Sequence, residues 1–208
     1  NGTDFSSMFR SATSFNQNIG NWDVSSGNDF SLMFRAATSF NQDIGNWDVS
    51  YTARLTQMFL EAELMQSNLG FNSTPTPIDF NPTFKERTSL DTALAAWIAD
   101  ETSATETYGD INTWDVSAIT DFSALFDNKT TFNSDISSWD VSSGTDFRSM
   151  FKSATSFNQN IGNWDVRSGT DFSWMFSYAY QFNQDIGSWD VSSGTTFSQM
   201  FLFANVFN

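Results

Sequence analysis

Apolar residues recur along this chain at a fixed phase of 25 positions, and the polar residues between them keep nearly the same register. Phenylalanine stands at Phe5, Phe30, Phe122, Phe147, Phe172 and Phe197. A Met-Phe or Leu-Phe pair begins three residues later, at Met8-Phe9, Met33-Phe34, Met58-Phe59, Leu125-Phe126, Met150-Phe151, Met175-Phe176 and Met200-Phe201. Then come a small residue (Ala12, Ala37, Ala62, Ala154, Ala179, Ala204) and an aromatic followed by Asn, at Phe15, Phe40, Phe132, Phe157, Phe182 and Phe207. Each unit closes on an aliphatic residue (Ile19, Ile44, Ile111, Ile136, Ile161, Ile186) three positions before Trp-Asp-Val, at Trp22, Trp47, Trp114, Trp139, Trp164 and Trp189. Self-similarity at this period marks stacked supersecondary units and not one globular core. The rings are therefore expected to form internal columns, with those six tryptophans and Phe15, Phe40, Phe132, Phe157 and Phe182 as structural core.

The two halves of each unit have different periodicities. In the first, Phe5, Met8, Phe9 and Ala12 fall at i, i+3, i+4 and i+7, which predicts a short helix with one apolar face. Asp4, Asp29, Asp121, Asp146 and Asp171 precede it, where a carboxylate can accept from the free amides of a helix start. The second half, Ile19 to Ser25, has the L-x-x-L-x-L form of the strand in leucine-rich repeats. Alternation there sends Trp22 and Val24 inward and Asn21, Asp23 and Ser25 outward. Successive strands are expected to form a parallel ladder about 4.8 Å apart, and the Asn after the second aromatic (Asn16, Asn41, Asn133, Asn158, Asn183) to form a second one. The fold class predicted is an α/β repeat: a right-handed solenoid resembling leucine-rich repeats, with a Trp-Asp-Val strand ladder and short helices.

The pattern Met-Phe-x-x-Ala-x-x-Phe-Asn-Gln-x-Ile-x-x-Trp-Asp-Val-Ser resembles the BspA-type surface leucine-rich-repeat proteins, over everything except roughly residues 71–107. The resemblance implies an extracellular or cell-surface location and a role in adhesion or matrix construction, without catalysis. The chain departs from it after Asp-Val-Ser, where a branched aliphatic is usual. Gly27, Gly144, Gly169 and Gly194 stand there and only Ile119 keeps the type, a loss expected to tighten or flatten that corner.

The repeat is interrupted between Trp47 and Trp114. A degenerate unit, in which Met65 and Gln66 replace Phe-Asn, is followed by Pro75, Pro77 and Pro82 in a polar stretch that cannot continue a ladder. Thr88 to Asp91 has the form of a capping box, and Leu90, Leu94, Trp97 and Ile98 predict an amphipathic helix. Three segments are expected: a first array over 1–70, a Pro-containing linker and capping helix over 71–107, and a second array over 108–208. Some nine residues of the repeat would join residue 208 to residue 1 in phase, so the chain is expected to be a window on a longer array or a subunit stacking head to tail.

Composition narrows the chemistry. With no Cys and no His, disulfides, thiolate or imidazole metal sites and the commonest general base are excluded. A net charge of −15 disfavours nucleic acid and anionic membranes as partners. No apolar run approaches the roughly 20 residues of a membrane span. The strongest candidate site is the outward row Asp23, Asp48, Asp115, Asp140, Asp165 and Asp190. Like charges directly opposite one another on a ladder repel, so the row must be splayed, hydrogen-bonded to turn amides, partly protonated or bridged by a cation. Calcium suits carboxylate and amide oxygens, and Asn21, Asn46 and Asn163 lie nearby on the same face. Asn1, Asn72 and Asn128 open Asn-x-Thr triplets and are candidate N-glycosylation sites. Asn72 and Asn128 are expected in loops outside the regular repeat.

Tyr51, Tyr178 and Tyr180 offer rings on which sugars can stack. A glycosidase-like carboxylate pair has no asymmetric pocket to separate its pKa values in a periodic row. The function predicted is a non-catalytic extracellular structural and interaction protein, able to assemble end to end, with proteins or glycans of a cell surface or matrix as partners and no cofactor. The alternative is a carbohydrate- or calcium-dependent binding module.

Overall fold

The computed structural model describes residues 2–50, 52–76, 80 and 83–208. Asn1, Tyr51, Pro77 and Pro82 lie outside the described residues. The chain divides into two compact units, Asn1–Thr83 and Phe84–Asn208. Its helices are α1 (Glu63–Leu69), α2 (Arg87–Ala99) and α3 (Glu101–Tyr108), followed by one 3₁₀ turn, Ile111–Thr113.

No helix forms over the Phe-Ser-x-Met-Phe segments, and the parallel ladder is here and not at Trp-Asp-Val. In the first unit the N–H groups of Phe5, Ser7, Phe9 and Ser11 donate to the carbonyls of Asp29, Ser31, Met33 and Arg35 at 2.7–2.9 Å. Phe30, Leu32, Phe34 and Ala36 do the same to Arg54, Thr56, Met58 and Leu60. The second unit repeats the arrangement, as from Phe147, Ser149, Phe151 and Ser153 to Asp171, Ser173, Met175 and Ser177. Isolated parallel bridges mark its start, Asp4 to Asp29 and Asp29 to Arg54 in one unit, Asp121 to Asp146 to Asp171 to Thr196 in the other.

The helix expectation fails for a local reason. Two residues per coil, four apart, have positive φ, among them Ser7 and Ser11, Ser149 and Ser153, and Trp174 and Tyr178. A left-handed residue after each Phe turns the chain so that alternate N–H groups point to the next coil instead of back along their own. What replaces the helix is a run of β-turns, with Met8 N–H donating to Phe5 O, Ala12 to Phe9 and Phe15 to Ala12. A turn closed from i to i+3 places apolar residues three or four apart, just as a helix does.

The columns are built from rings. Phe5 stacks on Phe30 at 5.1 Å, Phe147 on Phe172 at 5.4 Å, Phe151 on Phe176 at 5.5 Å and Phe157 on Phe182 at 6.0 Å. Within one coil Phe151 and Phe157 lie nearly parallel at 4.0 Å. Trp47, Trp114, Trp139, Trp164, Phe40, Phe132, Phe157 and Phe182 are buried. Phe15 and Trp189 are half-buried. Trp22 is corrected as core: it is 38 % exposed.

The Trp-Asp-Val half is tied across coils by side chains. The indole N–H of Trp47 reaches Ile19 O at 3.0 Å, and Trp139, Trp164 and Trp189 reach Ile111, Ile136 and Ile161 at 2.7, 3.2 and 3.1 Å. An asparagine ladder supplements them: Asn16, Asn133, Asn158 and Asn183 Oδ1 accept from the N–H of Asn41, Asn158, Asn183 and Asn208. The glycines after Val make room for rings. A Cβ on Gly27, Gly169 or Gly194 would lie 2.3, 2.3 or 2.2 Å from the Cζ of Phe30, Phe172 or Phe197. Where Thr52 replaces that glycine, Leu55 replaces the phenylalanine.

In the first unit α1 occupies the place of the Phe-Asn turn and buries Met65. Beyond it Ser73 O accepts from Phe59 N–H, and Phe71 and Phe80 continue the ring column at 5.0 and 5.4 Å. In the second unit Phe84, Trp97 and Tyr108 surround Trp114, whose ring stacks on Trp139 at 6.4 Å. Trp97 and Tyr108 come from α2 and α3, which bury Leu90, Leu94, Trp97 and Ala104. The capping box does not form: Glu86 is the N-cap, without a side-chain cap bond, and Thr88 lies inside the helix. Ile98 is 37 % exposed and off the buried face.

Candidate functional site

The regular coils carry up to three short polar turns made by one kind of contact, a side-chain oxygen accepting from the N–H two residues on. Before the ladder, Asp4, Asp29, Asp121, Asp146 and Asp171 accept from Ser6, Ser31, Ser123, Arg148 and Ser173 at 2.8–2.9 Å. Before Trp-Asp-Val, Asn18, Asp43, Asp135, Asn160 and Asp185 accept from residues 20, 45, 137, 162 and 187. Within it, Asp23, Asp115, Asp140, Asp165 and Asp190 accept from residues 25, 117, 142, 167 and 192 at 3.0–3.2 Å. Asp48 accepts from Thr83 N–H at 3.2 Å.

The row singled out from sequence is thus committed to turn amides. Arg167 adds an ion pair to Asp165 at 2.8 Å. Hydrogen bonds from the Arg167 side chain and backbone hold the Asp165 carboxyl below its ordinary pKa, against the charge of Asp190. Ser192 does the same for Asp190, through side chain and then backbone. Neighbouring carboxylates therefore stay ionised side by side. Around Asp165 and Asp190 an open cleft of about 300 Å³ is lined also by Asn163, Trp164, Arg167 and Ser188. Among the described residues no three acidic side chains gather closely enough to hold a metal ion.

A second acidic row, expected only to start helices, lies on the bridges between coils. Asp29 pairs with Arg54 at 3.5 Å, Asp146 with Arg148 at 3.5 Å and Asp121 with Arg87 at 3.6 Å. Desolvation opposes ionisation of Asp171, but bonds from Ser173 and Thr196 outweigh it and its pKa is lowered.

Of the candidate glycosylation sites, Asn72 is exposed after α1. Asn128 is also exposed but is corrected from loop to coil: it has φ 60° and its N–H bonds Lys152 O in the ladder. Tyr178 and Tyr180 sit together in the second unit, ring centroids 6.2 Å apart, and Phe203 joins them at 5.0 Å from Tyr178. Nothing in the identity of Phe203 or Trp174 signals that its backbone is left-handed.

A family model described as "Mycoplasma protein of unknown function, DUF285" matches residues 1–97 and 99–208. No curated protein and no solved structure matches the chain.

Proposed function

From the premise that this chain belongs to the family described as "Mycoplasma protein of unknown function, DUF285", we propose that it is a non-catalytic structural and interaction protein of a cell surface or extracellular matrix. In this reading the coils form a right-handed solenoid of the BspA-type leucine-rich-repeat kind. The observation that carries it is the use made of the recurring polar side chains. Indole N–H groups and asparagine amides join one coil to the next, and aspartates fold each coil's own turns. Residues spent in this way build a regular face.

In this reading copies of the chain stack end to end, one meeting the next as Phe172, Trp174, Phe176 and Tyr178 meet the carbonyls of Thr196, Ser198, Met200 and Leu202. Labelling of intact cells with an antibody against the chain, together with electron microscopy of native material, tests the reading. Surface label and stacked particles are expected; label seen only after permeabilisation overturns it.

A further inference from the structure

The backbone bonds that join the Phe-Ser-x-Met-Phe segments of successive coils all point one way. In the second unit Phe122, Ala124, Phe126 and Asn128 N–H donate to the carbonyls of Asp146, Arg148, Met150 and Lys152 at 2.8–2.9 Å, and the later coils repeat this toward higher numbers. Donors leave one side of a coil and acceptors the other. Peptide dipoles aligned in this way add, and the carbonyl end of the stack is its negative end.

In the second unit that end lies within the chain, at the coil that opens with Asp121. The carbonyls of Asp121, Ser123, Leu125 and Asp127 stand one coil before those of Asp146, Arg148, Met150 and Lys152. Asp121 O accepts from the Arg87 guanidinium at 3.0 Å. Among the described residues no donor reaches Ser123 O, Leu125 O or Asp127 O. The N–H groups of Leu125 and Asp127 turn back to Phe122 O and Ala124 O, and that of Ser123 to Asp121 Oδ1. The edge therefore presents acceptors alone.

A cleft of about 320 Å³ runs along it. One wall is Ala124, Leu125, Asp127 and Lys129; the other is Asp91, Leu94 and Ala95, on one face of α2. Arg87, a turn earlier on the helix, binds Asp91 at 2.7 Å as well as Asp121 O, and so holds that face beside the edge. Asp127 enters no ion pair among the described residues, and one of its carboxylate oxygens is sealed from solvent and accepts no hydrogen bond. Arg87 and Lys129 balance Asp91 and Asp127 in number, so the row of carbonyl oxygens decides the sign of the site.

We infer that this cleft docks an arginine side chain of a partner peptide, the guanidinium donating to Leu125 O and Asp127 O and the stem lying against Leu94 and Ala95. A guanidinium has five donors and no acceptor, which is what an acceptor-only edge takes. Arg87 already meets the first carbonyl of the row in this way. A partner β-strand fits less well, because it turns its own carbonyls as well as its N–H groups toward the edge. The volume is near the lower end for ligand sites, roughly 300 Å³, enough for a side chain and too small for a further coil. Such docking would be one contact of the interaction protein proposed above; measured on the purified chain, it can fail while the surface label stands.

The test is fluorescence anisotropy of a labelled peptide, acetyl-Gly-Ser-Arg-Ser-Gly-amide, titrated with the whole chain. Binding is expected, and replacing its arginine with citrulline, of the same shape but uncharged and carrying an acceptor, should weaken it at least tenfold. Ala95→Trp, which fills the cleft without changing any charge, and Asp127→Asn should each weaken binding at least tenfold with the melting temperature held. Asp140→Asn, which removes the same charge from the acidic row, should leave binding unchanged. Absence of binding overturns the inference, as does equal binding of the citrulline peptide. Loss in Asp140→Asn as large as in Asp127→Asn, or no loss in Ala95→Trp, overturns it by reducing the contact to overall charge. A dimer in sedimentation that Ala95→Trp abolishes also overturns it, by assigning the cleft to a second copy.

Discussion

The indole nitrogen of Trp164 donates across 28 residues to the carbonyl of Ile136, at 3.2 Å in a buried site. The same bond recurs from Trp139 to Ile111 and from Trp189 to Ile161. It explains why a tryptophan occupies this phase of the repeat: a ring fills the column, and only an indole adds a donor for a carbonyl of the previous coil. Trp164→Phe keeps a ring but leaves that carbonyl unpaired, which costs about 1–3 kcal/mol. Chemical denaturation should show this loss, and a smaller one for Trp22→Phe at a site 38 % exposed.

Gly169 is defined by what stands against it. A Cβ there would lie 2.3 Å from Phe172 Cζ and 3.0 Å from Val166 O. Gly169→Ala should therefore destabilise the second unit by about 1–3 kcal/mol through overpacking. Gly187→Ala, whose Cβ would meet only Asp185 Oδ1 at 3.2 Å, should cost clearly less in the same unfolding experiment.

Ala124 separates turns from helix. Its φ is 53° and it is exposed. In a helix, Ala→Gly would lose roughly 1 kcal/mol. At a left-handed position the sign reverses, because glycine carries no Cβ penalty there, and Ala124→Gly should gain roughly 0.5–1 kcal/mol. A lowered denaturation midpoint would contradict the left-handed turn.

Acid should loosen the coils. Asp4, Asp29, Asp121, Asp165, Asp171 and Asp190 have pKa values lowered in the fold. A group depressed on folding contributes stability that is fully present above its unfolded pKa, about 3.9 for Asp, and lost as pH falls through the folded value. Melting temperature should be level from neutral pH to about 5 and fall below about 4. Replacing Asp165 and Asp190 with Asn, which still accepts a turn amide, should shallow the acid limb.

The sequence by itself determined the repeat, its phase, the residues that meet in columns, and the break between the two sets of coils. Each follows from composition at fixed spacing: Phe151 and Phe176 are neighbours because every coil returns the chain to the same place after 25 residues. The Asp-x-N–H contacts were also within reach of sequence, since aspartate followed by Ser or Gly favours a local turn. Which half of the coil carries the ladder was decided only by tertiary structure. Phe5, Met8, Phe9 and Ala12 have helical spacing, but consecutive turns produce that spacing too, and the sign of φ at Ser7 and Ser11 separates the two. That sign is set by bonds to Ser31 and Arg35 in the next coil, a gain no isolated segment can make.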